Sequence, residues 1–132
     1  MPKQEIVSPE LRPPPGVFSH ATVVEASGRL VFVSGMTARR PDGTVAGVGD
    51  VRAQTRQVCE NLAAALRAAG ATLDQVCRVD VYVRDLADFA AIHEVRREFF
   101  HSPLPASTMV EVSGLVDPDY LIEISAIAVV PG

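Results

Sequence analysis

The run Leu121-Ile122-Glu123-Ile124-Ser125-Ala126-Ile127-Ala128-Val129-Val130 restricts what this chain can become more than any other stretch. Side chains of a strand point alternately to opposite faces of a sheet. Over most of its length both faces of this run are apolar, so both must be covered. The rest of the chain supplies cover for one face only, because its periodicity predicts two helices. Asp50 reads as the N-cap of a helix ending near Ala69, with Gly70 just past its end. Its apolar stripe is Val58, Leu62, Ala65, Leu66 and Ala69, and Arg52, Arg56, Glu60 and Arg67 lie opposite as a solvated face. The second helix, capped by Asp85 or Asp88, presents Phe89, Ile92, Val95 and Phe99 inward and stops at His101-Ser102-Pro103. With the helices on one face, the other face is either polar and wet or buried against another chain. The C-terminal run favours an oligomer whose open sheet faces meet; a plain α/β monomer is the alternative.

The remaining strands are shorter. Thr22–Ala26 and Leu30–Val33 flank Ser27-Gly28 and predict a hairpin, its second strand an apolar run buried on both faces. Gly35, at the end of that strand, permits close approach of another backbone or a ligand. Val76–Arg84 alternates, with Cys77, Val79, Val81 and Val83 on one side and Arg78, Asp80, Tyr82 and Arg84 on the other. Asp80 between Arg78 and Arg84 predicts a salt bridge, and Tyr82 beside them predicts packing. Ser107–Val112 and Leu121–Val130 close the chain. The order is ββ-α-β-α-ββ, and the helical crossovers require part of the sheet to be parallel.

One domain over residues 1–132 is expected, with 1–15 as an irregular lead-in marked by the prolines of residues 8–16. A hydrophobic share of 48% excludes disorder. Twelve basic against 16 acidic residues leave −4, which opposes nucleic-acid binding. No apolar run is long enough to span a bilayer, and the start of the chain lacks a signal-like stretch. The expected setting is the cytoplasm, without a membrane partner. Cys59 and Cys77 read as small core residues. His20, His93 and His101 have no metal-ligand spacing, so no metal is expected. Nucleotide-binding, nucleophile-elbow and zinc motifs are absent. Glu123 stands out as a carboxylate in an apolar strand. Burial would raise its pKa and let it serve as acid or base near neutral pH; the other reading is a charge facing solvent at a subunit edge.

Several motifs in order carry a resemblance: Gly16-Val17-Phe18-Ser19-His20-Ala21, Leu30-Val31-Phe32-Val33-Ser34-Gly35, Ala53-Gln54-Thr55 with Asn61-Leu62, Ala68-Ala69-Gly70, Val81-Tyr82-Val83-Arg84-Asp85, Phe99-Phe100, Pro105-Ala106 and Ile122-Glu123-Ile124. From Gly16 to Val130 the chain resembles the Rid family (RidA/YjgF-like). The resemblance implies an α+β, chorismate mutase-like subunit with a mixed sheet and two helices on one face, assembled as a homotrimer. It also implies a cofactor-independent hydrolase of enamines or imines, acting on a small molecule in a pocket between subunits. Glu123 would be catalytic, and Phe18, Ser34, Gly35, His93, Ser107 and Met109 would bind substrate.

Four of these positions depart from the family pattern. Phe18 replaces a tyrosine, His93 an asparagine and Met109 a cysteine. Ser107 replaces the arginine that grips the substrate carboxylate, a charge-assisted contact typically worth about 1.5–3 kcal/mol. The segment Ser34–Thr44, with Asp50–Arg56, is similar to the aminomuconate deaminase branch. It places Arg39 and Arg40 as further substrate-binding candidates for carboxylates, or as a basic, solvated loop pair. Two functional readings result: an enamine or imine hydrolase with a non-standard substrate, and a small-molecule-binding or regulatory protein that has lost catalysis. An RNase is disfavoured by the net charge and by the seven aromatics of the chain.

Overall fold

The computed structural model describes residues 3–25 and 27–132. The predicted strand end at Ala26 lies outside the described residues. Strands β1 (Lys3–Ile6), β2 (Ala21–Val24) and β3 (Arg29–Met36) lead to helix α1 (Val51–Ala68). Then come β4 (Val76–Val83), α2 (Phe89–Phe99), β5 (Ala106–Glu111) and β6 (Ile122–Val130).

Helix α1 forms as its sequence predicts. Asp50 accepts a hydrogen bond from the Ala53 amide at 3.1 Å, closing the helix start. Ala69 ends it, and Gly70 takes φ +77°, a left-handed conformation that glycine adopts without strain. Val58, Leu62 and Leu66 are fully buried, each contributing about 1.5–3 kcal/mol. Arg52 and Arg56 on the outer face pair with Glu94 and Glu98 of α2 at 2.9 and 2.7 Å. In α2 the inner face holds Ile92 and Val95, but Phe89 is exposed, contrary to expectation. Asp85 caps a short 3₁₀ turn at Leu86–Asp88 by accepting from the Ala87 amide, and α2 follows from it.

The main sheet has the order β3-β6-β4-β5. β6 is antiparallel to both β3 and β4, and β5 is parallel to β4 across the α2 crossover. The predicted hairpin does not form. β2 pairs with β1, in a stretch expected to be irregular, rather than with β3. Lys3 and Glu5 anchor that stretch: the Lys3 ammonium donates to the Val76 carbonyl at 2.6 Å, and the Glu5 carboxylate accepts from the Leu104 amide at 2.6 Å. β5 and β6, adjacent in sequence, do not pair, because β4 lies between them.

The helices cover one face of this sheet. Val79, Val81 and Val83 pair across to Ala126, Ile124 and Ile122, and all six are buried. The register sets Asp80 against Ser125 and Tyr82 against Glu123 on the opposite face, where all four are only partly buried. Arg78 is on that face too and forms the predicted ion pair with Asp80 at 2.8 Å. Leu30 and Phe32, expected to be buried, lie on this open face 56% and 71% exposed. The cause is geometric, since no element among the described residues covers them. Two bulges interrupt the register. One falls at Ser34-Gly35 and the other at Cys77. The second takes Cys77 out of the helix-side core, against expectation, and packs it near Val24 and Leu30. Cys59 sits in that core as predicted, its thiol pushed up to about 12 by burial.

Candidate functional site

The predicted site residues fall into two groups on opposite faces of the sheet. The first group lines a cavity of about 220 Å³ between α2 and the edge strand β5. Phe18, His93, Ser107 and Met109, all expected at the site, meet there with Phe89 and Arg96. β5 delivers its two residues by alternation: Ser107 and Met109 pair with Val79 and Val81, so both point to the helix side. α2 delivers Phe89, His93 and Arg96, spaced by four and three residues along one stripe. Phe18 arrives with the segment Val17–Ser19, which is tied to the start of β5. The Ser19 amide donates to the Pro105 carbonyl at 3.0 Å, and its hydroxyl donates to the Leu104 carbonyl at 2.9 Å.

His93 is held on three sides. Its ring stacks on Phe89 with centroids 4.0 Å apart, and its Nδ1 lies 3.1 Å from the Phe89 carbonyl. The third side abuts Gly16, where a Cβ would collide with the ring; this accounts for the glycine in the first motif. Burial lowers the His93 pKa, and the nearby positive charge of Arg96 lowers it further.

The second group lies on the open face. Glu123 projects there beside Tyr82, its cross-strand partner. Its carboxylate presses on Gly35, where any Cβ would overlap Oε2. A close approach does occur at Gly35, but it is made by the Glu123 side chain rather than by a backbone or a ligand. The bulge at Ser34-Gly35 turns this strand end outward, as bulges beside sites often do, and both residues are exposed. Asn61 of α1 holds the following segment by donating to the carbonyls of Thr37 and Arg39, each at 2.8 Å. Gln54 is fully buried and fastens the entry to β6: its amide donates to the Asp119 carbonyl at 2.7 Å, and its carbonyl oxygen accepts from the Leu121 amide at 2.8 Å. These two polar side chains of the motifs thus position the strand ends around Gly35 and Glu123.

Arg39 and Arg40 join neither group. Arg39 donates to the Tyr120 hydroxyl, to the Gly43 carbonyl at 2.6 Å and to Asp117 at 3.1 Å. Arg40 reaches the Thr44 hydroxyl at 3.3 Å. Both serve the 38–46 loop, where the Ala46 amide donates back to the Ala38 carbonyl. Among the described residues no group of His, Cys, Asp and Glu converges as a metal site would require.

Sequence reasoning missed Arg96. It occupies the apolar stripe of α2 between Ile92, Val95 and Phe99, and it is 1% exposed. The signal was present in the pattern: a cation at an inward position of an amphipathic helix.

A bulged strand end, a helix-side cavity and one bare sheet face define a small α+β protein of the chorismate mutase-like type. The family model described as Endoribonuclease L-PSP matches residues 10–130. The chain is 42% identical to the 3-aminoacrylate deaminase RutC of Acinetobacter baylyi, over 97% of this chain and 98% of that protein. It is also 42% identical to a RutC family protein of Pyrococcus abyssi, over 95% of this chain and 96% of that one. Among solved structures, the conserved Rid family protein YyfB of Yersinia pestis superposes with a TM-score of 0.91. That match has 35% identity and covers 98% of this chain and 100% of the other. The chain belongs to the Rid family, the family of RutC and YjgF that also carries the endoribonuclease L-PSP description.

Proposed function

We propose that this protein is a cofactor-independent hydrolase of small enamines or imines, working in a pocket shared by neighbouring subunits of a homotrimer. The observation that carries this reading is the separation of the two groups by the sheet. Glu123 and Gly35 lie on the open face, while Ser107, Met109, His93 and Phe18 lie on the covered side. Residues on opposite faces of one sheet cannot converge on one ligand, whereas a second copy docking its open face beside the first copy's β5 edge would bring them together. The likeness to the 3-aminoacrylate deaminase RutC supports the reaction class.

The chemistry follows from an acid–base group and water. An enamine takes a proton on carbon and becomes an iminium ion. Glu123 removes a proton from water as the oxygen bonds to the iminium carbon, giving a carbinolamine. Glu123 returns that proton to the nitrogen, the C–N bond breaks to release ammonia, and the hydroxyl proton passes to solvent, replacing the one the enamine took from it, so that a carbonyl compound remains. No electron acceptor and no metal enters this balance. Phe18 walls the cavity, the Gly35 backbone faces the ligand, and Ser107, Met109 and His93 shape the remaining surface. Because Ser107 stands where the family uses arginine, any substrate carboxylate has to be met by another group, and an aminomuconate-like compound is one candidate substrate.

The neutral Ser107 also favours a second reading, a non-catalytic binding or regulatory protein that keeps the pocket. One experiment separates the two. An amino-acid oxidase generates imines in situ, and their decay is followed with the native protein and with Glu123→Gln. The hydrolase reading expects accelerated decay that Glu123→Gln reduces by about 10²–10⁴-fold while the fold persists. Decay at the uncatalysed rate with every imine tried, alongside ligand binding, gives the second reading.

A further inference from the structure

The cavity between α2 and β5 contains one fixed charge, and it belongs to Arg96. The guanidinium is almost wholly enclosed, at 1% exposure. Its Nη2 makes two long contacts, donating to the Val17 carbonyl and to the Ser107 hydroxyl, each at 3.3 Å. Its Nε has no hydrogen-bond partner among the described residues. None of the ion pairs among them involves Arg96. The Phe100 ring, 5.9 Å from the guanidinium carbon, offers only a weak cation–π contact. Buried charges are normally paired and hydrogen-bonded, because an isolated one is expensive to keep out of water. Burial does lower the Arg96 pKa, but only to about 10, so the group stays protonated at neutral pH. Cys59, whose thiolate would offset that charge, is held as the neutral thiol by burial.

We propose that Arg96 is the carboxylate-binding residue of this cavity, supplying from helix α2 the guanidinium that Ser107 on β5 does not. This assignment rests on the hydrolase reading for its substrate, a small enamine or imine that carries a carboxylate. Three features of the structure converge on it. Arg96 touches the Ser107 hydroxyl, so its charge reaches the space that a longer side chain at 107 would fill. Arg96, whose Nε has no partner among the described residues, lines a cavity of about 220 Å³, the liquid volume of about seven waters and enough for a ligand of several heavy atoms. A planar fork of parallel N–H groups matches a carboxylate in two-point contact. Arg39, by contrast, donates to Gly43 of its own loop and to Tyr120 and Asp117, and Arg40 donates to Thr44.

The test is calorimetric titration of the assembled protein with 2-oxobutanoate and with its uncharged primary amide. Native protein is expected to bind the carboxylate roughly tenfold to a hundredfold more tightly than the amide. Arg96→Met should lose that preference while still binding the amide, and Arg96→Lys should recover part of it. Native protein with no preference, or an Arg96→Met variant that keeps the native preference, overturns the assignment. Should Arg96→Met fail to fold, Ser107→Asp replaces it. A carboxylate there pairs with the guanidinium, and it should raise Tm and abolish 2-oxobutanoate binding; binding at the native Kd overturns the assignment.

Imine turnover, measured on the same proteins, keeps the two proposals apart. Arg96-dependent carboxylate preference without turnover removes the hydrolase reading and leaves Arg96 as an anion-binding residue. Turnover whose KM and kcat are unchanged by Arg96→Met removes Arg96 and leaves the hydrolase. Loss confined to KM for the carboxylate substrate fits binding, and a purely structural role would not produce it selectively.

Discussion

The two faces of the β3-β6-β4-β5 sheet are built from the same strands and have opposite characters. On the covered face, Val79, Val81, Ile122, Ile124 and Ala128 are sealed by helices of the same chain. On the open face Leu30, Phe32 and Val110 remain exposed, with Tyr82 and Glu123 among them. Alternation along a strand makes this division sharp, because neighbouring residues cannot share a face. The lesson concerns function as much as folding. The proposed binding groups sit on the side the chain covers with its own helices, and the proposed acid–base group sits on the side left uncovered.

The largest effect comes from spoiling the open face. Phe32→Asp places a charge in the middle of the proposed contact while leaving the helix-side core untouched. Light scattering should then fall from about three chain masses to one, with loss of all imine turnover and a retained circular dichroism spectrum. A native protein that is already monomeric would remove the contrast between the faces.

A smaller effect sharpens the covered side. From the family pattern alone, Ser107→Arg looks like a repair. The structure reverses that expectation, because the Ser107 hydroxyl is 3.3 Å from the Arg96 guanidinium. Two buried cations would then meet, at a cost on the order of 3 kcal/mol. Thermal or urea unfolding should show the single variant destabilised, and adding Arg96→Met should restore most of the loss. A Ser107→Arg protein as stable as the native one would mean that Arg96 is not fixed where it stands.

The smallest effect is electrostatic. Burial, then the charge of Arg96, lowers the folded-state pKa of His93. The unfolded chain therefore takes up a proton on this residue before the folded one does. Stability should fall as the pH drops from the ordinary histidine value of about 6.5 toward the lowered one, with a slope of at most about 1.4 kcal/mol per pH unit. Above that window the residue contributes no slope. His93→Asn should flatten this part of the profile in urea titrations, and an unchanged slope would assign it to other groups.

Much of this was legible in the sequence wherever the signal was local. The Asp50 cap, the Gly70 stop, the alternation of Val76–Val83 and the two-helix limit all depend on residues a few positions apart. Strand order did not emerge, because β6 inserts between β3 and β4 from the far end of the chain, and pairing at that separation leaves no local trace. Strand β1 was hidden in Lys3-Gln4-Glu5-Ile6, a polar stretch held by contacts to Val76 and Leu104. Of the site residues, Phe18, His93, Ser107 and Met109 were found through family likeness, and the structure gathers them in one cavity. Arg96 was passed over because a charged residue in a helix is usually taken as surface. Only its three-dimensional enclosure shows that it is shut off from solvent and has no counter-charge among the described residues.

The division of the site between two copies can be tested by complementation. Met109→Trp fills the cavity and leaves Glu123 intact; Glu123→Gln does the reverse. Each variant alone should be nearly inactive. Co-expressed with different tags and purified as mixed assemblies, they should regain about one quarter of native turnover, the share of interfaces that pair an intact cavity with the partner subunit's intact Glu123 under random mixing. Mixed assemblies that stay as inactive as their parents would contradict the shared site and place the reacting groups within a single chain.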